Sequence, residues 1–369
     1  MGLFDKKNAT TQLQQDLRSH IAAVCDPNTG ESLEQAGFIE RIDVSGDVVE
    51  LSLVFDYPEQ STISALRTDL EQAVAEVDPA LRLALITAFV APQGSVHSGK
   101  PFVGARNIIA VASGKGGVGK YSTSVNLALA LQAEGARVGL LDADIYGPSQ
   151  PTMLGCHDQP EQVGEKQLKP VQAHGLATMS IGYLVDEKTA MVWRGPMVTS
   201  ALMQLLNDTQ WPDLDYLIVD MPPGTGDVQL TLAQKVPVAG SVIVTTPQNI
   251  ALLDAQKAIS MFDKVSVPIL GVVENMSTHV CSNCGHEEAL FGSGGGARIA
   301  GEYHVPLLGQ LPLNPVIRED LDQGTPTVAQ DPDGAIAQSY RRAAIAMSAA
   351  LGQAVRNSAS TGPQIEIEE

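Results

Sequence analysis

Aromatic residues supply only 4% of this 369-residue sequence, and its 23 basic residues are outnumbered by 42 acidic ones. Few aromatics beside 34 glycines and a 44% hydrophobic content describe an α/β protein built on Ala, Val, Leu and Gly, not a disordered or fibrous chain. The net charge of −19 opposes binding to nucleic acid or anionic lipid, so neither is expected as a partner. No apolar run approaches the length that spans a bilayer. The opening segment, MGLFDKKNATTQ, has neither an apolar core nor a small-residue cleavage site, which argues against a signal peptide. Lys6 stands where a myristoylation signal needs Ser or Thr. Only four cysteines occur, two of them three positions apart, which in an intracellular chain points to metal or redox chemistry before a structural disulfide. A cytoplasmic location is expected.

At this length two domains can each bury a core. Residues 1–11 are expected to be disordered. Residues 12–92 read as a small α+β domain: a helix over Leu13–Val24, strands over Phe38–Val44 and Val48–Phe55, a helix over Ser61–Val77 and a strand over Leu81–Val90. Residues 93–106, rich in Gly, Ser and basic residues, read as a linker. Residues 107–356 alternate near-continuous apolar strands (Ile108–Ala112, Val138–Asp142, Leu217–Asp220, Ser241–Thr246, Ile269–Glu274) with helical segments. That pattern predicts an α/β fold, a mostly parallel sheet covered by helices on both faces. Residues 357–369 read as a polar, acidic, disordered tail.

The strand Ile108–Ala112 runs into SGKGGVGK at 113–120, and Ser122–Glu134 reads as a helix. Strand, glycine-rich turn and helix are the context of a phosphate-binding loop. Gly114, Gly116, Gly117 and Gly119, with Val118 between them, let backbone N–H groups converge on a phosphate. The helix N-terminus adds partial positive charge, and Lys120 reaches the outer phosphates. Lys115, directly after the first glycine, resembles the signature of the deviant Walker A group, which includes cell-division and chromosome-partition ATPases and the nitrogenase iron protein. That resemblance implies a homodimer with facing loops, in which Lys115 touches the partner's nucleotide. One position departs from the pattern. Tyr121 stands where a Ser or Thr hydroxyl would bind Mg²⁺, and Ser122 lies one helical step round and faces elsewhere. Weakened Mg²⁺ coordination and slow or absent hydrolysis are expected, with nucleotide binding retained through the backbone and Lys120; the alternative is a ring that swings aside.

Two further apolar strands end in acids, Asp142 with Asp144 at i+2, and Asp220 before the glycine-rich run MPPGTGD. Acids at the carboxyl ends of parallel strands project into the ligand crevice. By resemblance, Asp220 fits the Walker B role, Asp144 the residue that orients the attacking water, and Asp142 a neighbour of the metal. Asn275, after Ile269–Glu274, matches the base-recognition asparagine of that group, although Asn at a strand end is also a common turn residue.

Cys281 and Cys284 form a CxxC pair flanked by His279 and His286. Two thiolates are half of what zinc or a four-iron cluster requires. A zinc site completed by the two histidines, a redox pair, and a cluster shared by four cysteines across a two-fold axis are the three readings. Cys25 and Cys156 are expected to be small buried residues.

Together, SGKGGVGK, LLDADIYGPSQPTMLG, VWRGPMV, YLIVDMPPGTGDVQLTL, VTTPQ, GVVENMS and CSNCG resemble the Mrp/ApbC (Nbp/Cfd-like) family of iron–sulfur cluster carrier ATPases. The first domain resembles the iron–sulfur assembly domain often fused before it, through Cys25-Asp-Pro and its strand pattern. The resemblance implies ATP and Mg²⁺ as cofactors and a [4Fe–4S] cluster bridging two subunits at Cys281 and Cys284. Apoprotein clients and assembly scaffolds are the implied partners. It sets the carrier reading against a MinD/ParA-like positioning ATPase and against a cluster-dependent reductase.

Overall fold

The computed structural model describes residues 3–93, 102, 104–185, 195–281 and 283–360. Residues 94–101 and 103 of the expected linker, 192–194 of VWRGPMV, Ser282 and the tail from 361 lie outside these. Two compact units are present, one comprising residues 1–92 with 356–369 and the other residues 93–355.

In the small unit, α1 (Leu3–Ala23) and α2 (Ile63–Val77) pack on a three-stranded sheet of β1 (Ile39–Ser45), β2 (Val48–Phe55) and β3 (Arg82–Phe89) in the order β1-β2-β3. β1 and β2 form an antiparallel hairpin, while β3 returns parallel to β2 after α2. Leu66, Leu70 and Val74 recur at helical spacing along α2 and are buried, as are Leu17 and Ile21 of α1 and Leu51, Leu53 and Phe55 of β2. The helix α1 begins at Leu3, so residues 3–11, expected to be disordered, belong to it instead. After Gly2 no glycine or proline interrupts the segment, and a helix nucleated on its apolar half extends through polar residues.

A buried polar network closes the turn after α1. The Asp26 carboxylate accepts from Tyr57 Oη on one oxygen and from the Thr29 backbone N–H (3.0 Å) and hydroxyl (2.7 Å) on the other. Cys25 beside it is exposed and Cys156 is half-buried, contrary to the expectation of two buried thiols. The turn spends its buried position on the Asp26 carboxylate, which directs the preceding side chain outward.

In the large unit, β4 (Ala105–Ala112) leads into α3 (Lys120–Ala133) and β5 (Val138–Asp142), followed by the short helix α4 (Gln150–Met153). A two-residue hairpin, β6 (Gln162–Val163) with β7 (Gln167–Leu168), precedes β8 (Val171–Ala173) and β9 (Leu176–Ser180). Then come α5 (Gly195–Asp208), β10 (Leu214–Asp220), α6 (Asp227–Lys235), β11 (Gly240–Thr245), α7 (Asn249–Lys264) and β12 (Ile269–Glu274). A second small hairpin, β13 (His279–Val280) with β14 (Glu287–Glu288), is followed by α8 (Gly295–Glu302), β15 (Leu307–Gln310), α9 (Pro315–Asp322), α10 (Thr327–Gln330) and α11 (Ala335–Ser360).

Eight strands form one sheet in the order β15-β12-β11-β4-β10-β5-β9-β8, parallel throughout except for β8 at one edge. Every residue of β5, β10 and β11 is buried, which requires helices on both faces. β10 lies between β4 and β5, so that Asp220 pairs with Val111 on one side and with Asp142 on the other. The carboxyl ends of these three strands therefore meet at one rim of the sheet. The helix α11 runs to Ser360, past residue 357 where a disordered tail was expected; no proline interrupts it, and its single glycine, Gly352, costs a helix far less than a proline would.

Within the small unit, Arg356 donates to Asp56 Oδ2 and, at 2.7 Å, to Glu31 Oε2. Burial raises the Asp56 carboxyl above its ordinary value against the pull of Arg356, and among the described residues its buried Oδ1 has no side-chain hydrogen-bond partner. Losing the guanidinium leaves that carboxylate to ionise uncompensated. Arg356→Met should destabilise the small unit by about 1–3 kcal/mol. Asp56→Asn added to it should restore part of the loss; hydrogen exchange of the β2 and β3 amides reads both.

Candidate nucleotide site and cysteine hairpin

The loop between β4 and α3 has the backbone shape that phosphate binding requires. Gly119 caps α3 with φ +79°, and Gly117 has φ +84°. At Gly114 a Cβ would lie 1.9 Å from the Asp254 carbonyl oxygen, so only glycine lets the loop pass this close to α7. The Ser113 hydroxyl donates to the Lys115 carbonyl at 2.9 Å and folds the loop back on itself. Lys115 is half-buried, and Gly116 and Gly117 are exposed.

Lys120 opens α3 with its ammonium turned inward. The side chain is 3% exposed and forms an ion pair with Asp220 Oδ1. Its Nζ also lies 3.8 Å from the centre of the Tyr121 ring. The Tyr121 hydroxyl donates to Asp144 Oδ2. Burial, then the bond to Asp144, raises this phenol well above its ordinary value, so it stays a protonated donor. The ring therefore does not swing aside. It lies across the mouth of the carboxylate cluster, under the lysine and against the acid expected to orient water.

Both oxygens of Asp220 and of Asp142 are also engaged. Asp220 Oδ1 accepts from Ser124 Oγ at 2.8 Å, and Oδ2 accepts from Gln150 Nε2 at 2.7 Å. Asp142 Oδ1 accepts from the Asp144 backbone N–H at 3.0 Å. Its Oδ2 accepts from the Ser149 and Gln150 N–H groups at 3.1 and 3.2 Å and from Ser180 Oγ at 3.1 Å. Burial, with Asp220 as the next cause, raises the Asp142 carboxyl to about 7.

The fold family implies Mg²⁺ at this rim, held by a hydroxyl at position 121 and through water by a strand-end acid. The residues present do not fit it. Position 121 offers a phenol already bonded to Asp144, and each oxygen of Asp142 and Asp220 already accepts from the chain. Ser124, whose hydroxyl reaches Asp220, lies one turn deeper and is fully buried.

Asn275, at the end of β12, donates from Nδ2 to the Val118 carbonyl at 2.9 Å and so touches the loop itself. It borders a cavity of about 250 Å³ with Ser122, Met276, Pro312, Ile317 and Arg318 among its walls. The Ser122 hydroxyl turns back to the Gly119 carbonyl at 2.8 Å, away from the carboxylates, as its helical position predicts.

Cys281 and Cys284 sit in the hairpin that follows. Gly285, at φ +70°, closes it through its N–H to the Cys281 carbonyl, and the Cys281 N–H bonds the His286 carbonyl, both at 2.9 Å. Cys281 is half-buried and Cys284 exposed. The Cys284 and Asn283 N–H groups, then the Cys284 thiol, lower the Cys281 thiol below its ordinary value, which favours the thiolate. His279 is engaged with the Leu313 carbonyl at 3.1 Å. Among the described residues no three His, Cys, Asp or Glu side chains are gathered so as to hold a metal ion.

The fold thus brings Lys115, Lys120, Tyr121, Asp142, Asp144 and Asp220 to one rim, with Asn275 on the far side of the loop and the two cysteines beyond it. Ser124, Gln150 and Ser180 join the cluster without having been foreseen. Ser124 was within reach of sequence reasoning, since i+4 places it on the same face of α3 as Lys120. Gln150 and Ser180 enter only through the packing of α4 and β9 against β5.

Among the described residues no helix is long and apolar enough to cross a membrane. A family model described as the NUBPL iron-transfer P-loop NTPase matches residues 104–348, and one for an iron–sulfur cluster assembly protein matches residues 14–81. The chain is 64% identical to the iron–sulfur cluster carrier protein of Salmonella typhimurium over 67% of its own length and 68% of the relative's. It is 48% identical to the carrier protein of Haemophilus influenzae over 95% of both. A nucleotide-binding protein from Archaeoglobus fulgidus, solved in complex with ADP, superposes with a TM-score of 0.56 at 34% identity, covering 63% of this chain and 91% of that one. With both family models matched in sequence order and a phosphate-binding loop at the head of the larger match, this chain belongs to the Mrp/ApbC-like family of iron–sulfur cluster carrier P-loop NTPases.

Proposed function

We propose that this protein carries an iron–sulfur cluster between proteins, holding it at Cys281 and Cys284 of two facing copies, with ATP at the 113–120 loop controlling the pairing. The observation that carries this reading is the cysteine hairpin. It presents two thiols at the surface, lowers the Cys281 thiol toward the thiolate, and supplies too few sulfurs in one chain for a four-iron cluster. A second copy related by a two-fold axis supplies the other two. Val280, Leu290 and Phe291 around the hairpin, and Ile250 and Leu253 on α7 beside the loop, are exposed apolar side chains suited to a face that a second copy covers. A cluster held that way is released when the copies separate, as a carrier needs.

In this reading the loop N–H groups and Lys120 hold the phosphates, Lys115 reaches the nucleotide of the partner, and the base enters the cavity beside Asn275. Asp144 would orient the attacking water, but its Oδ2 is held by Tyr121, so turnover is slow. The small unit, matched by the assembly-protein model, takes the role of docking scaffolds or apoprotein clients. The names of the relatives support carriage over electron transfer. The net charge of −19 disfavours a positioning ATPase that acts on DNA or anionic membrane.

Anaerobic reconstitution with iron and sulfide tests the cluster site. The expected result is one cluster per dimer, lost in Cys281→Ala and in Cys284→Ala together with transfer to an apoprotein. A monomeric preparation that keeps its iron as firmly as a dimer would sink the shared site. Turnover tests the phenol: Tyr121→Ser, which frees Asp144, should raise ATP hydrolysis about tenfold or more. Equal rates would show that Tyr121 is no brake.

A further inference from the structure

Beyond slowing hydrolysis, the cluster of contacts around Lys120 bears on which form of the nucleotide the site accepts. In the usual P-loop arrangement a divalent ion bridges the outer phosphates to a hydroxyl on the first turn of the helix, and a strand-end acid holds the ion's water. Here both oxygens of Asp142 and Asp220 and one oxygen of Asp144 already accept from the chain. Asp220 takes Lys120 and Ser124 on one oxygen and Gln150 on the other. Asp142 takes three backbone N–H groups and the Ser180 hydroxyl. Asp144 takes the Tyr121 phenol. Displacing the three N–H groups or the Ser180 hydroxyl from Asp142 for a hydrated ion would cost buried hydrogen bonds, and the Tyr121 phenol stands where the usual hydroxyl ligand would be.

Lys120 is the cation paired with the buried carboxylate of this group. Its ammonium carries three donors on a flexible stem, enough to keep Asp220 Oδ1 while turning toward a phosphate oxygen, and the Tyr121 ring 3.8 Å away steadies the charge from below.

We propose that this site takes its nucleotide free of divalent metal, with Lys120 in the place of the ion and Tyr121 as the residue that excludes it. The inference rests on the reading of the 113–120 loop as the nucleotide site and deepens it. The ligand is then the uncomplexed nucleoside triphosphate or diphosphate, and magnesium acts only by withdrawing that form from solution.

Calorimetric titration of the full-length protein with the ATP analogue AMPPNP, once with millimolar Mg²⁺ and once with excess EDTA, tests this. The dissociation constant in EDTA should equal or fall below that in Mg²⁺. The variant Tyr121→Ser should instead bind about tenfold or more tightly with Mg²⁺ than with EDTA. Binding by the unaltered protein that Mg²⁺ tightens by about tenfold overturns the inference and leaves the carrier reading standing. A serine variant that stays indifferent to magnesium overturns the assignment to Tyr121. No binding by the unaltered protein in either buffer overturns both this inference and the nucleotide half of the proposed function.

Discussion

The large unit is organised around a carboxylate with no access to water. Asp220 ends the central strand β10 at zero exposure, and an ionised group there is tolerable only if it is paired and hydrogen-bonded. Its partners come from two separate places in the chain: Lys120 and Ser124 from the first turns of α3, and Gln150 from α4. Each partner pins its own segment to the rim of the sheet. The phosphate-binding loop, the segment that carries Asp144 and the end of β5 are thus held in register by one buried charge and its neighbours.

That arrangement also explains how one substitution in the loop acts on the whole rim. A serine at position 121 would leave Lys120 and Asp144 on opposite sides of an open crevice. The phenol spans them, with its face to the ammonium and its hydroxyl to the carboxylate. One side chain therefore meets both the buried ammonium and the acid expected to orient water.

The nucleotide crevice and the cysteine hairpin share one stretch of chain. Asn275 touches the loop through the Val118 carbonyl, Ser277 is bonded to the Leu311 carbonyl, His279 to the Leu313 carbonyl, and Cys281 follows two residues later. Three hydrogen bonds thus anchor the short segment that joins the 113–120 loop to the cysteine hairpin.

The sequence alone determined the parallel α/β architecture, the loop at 113–120, the acids at the strand ends and the cysteine pair. Each is local: a run of apolar residues, a glycine spacing, or two thiols on one turn carries its meaning within a few positions. It also showed that Tyr121 has the wrong shape for its place, because the reach of a phenol is a property of the residue. Only the tertiary structure decided where that phenol goes, since Asp144 comes from the turn after β5 and Lys120 is paired with the buried Asp220. The same holds for Gln150 and Ser180, whose partners lie far away in sequence, and for Cys25, turned outward by the burial of Asp26. The extent of α1 and α11 was likewise invisible to apolar periodicity, because a helix continues through polar residues until something stops it.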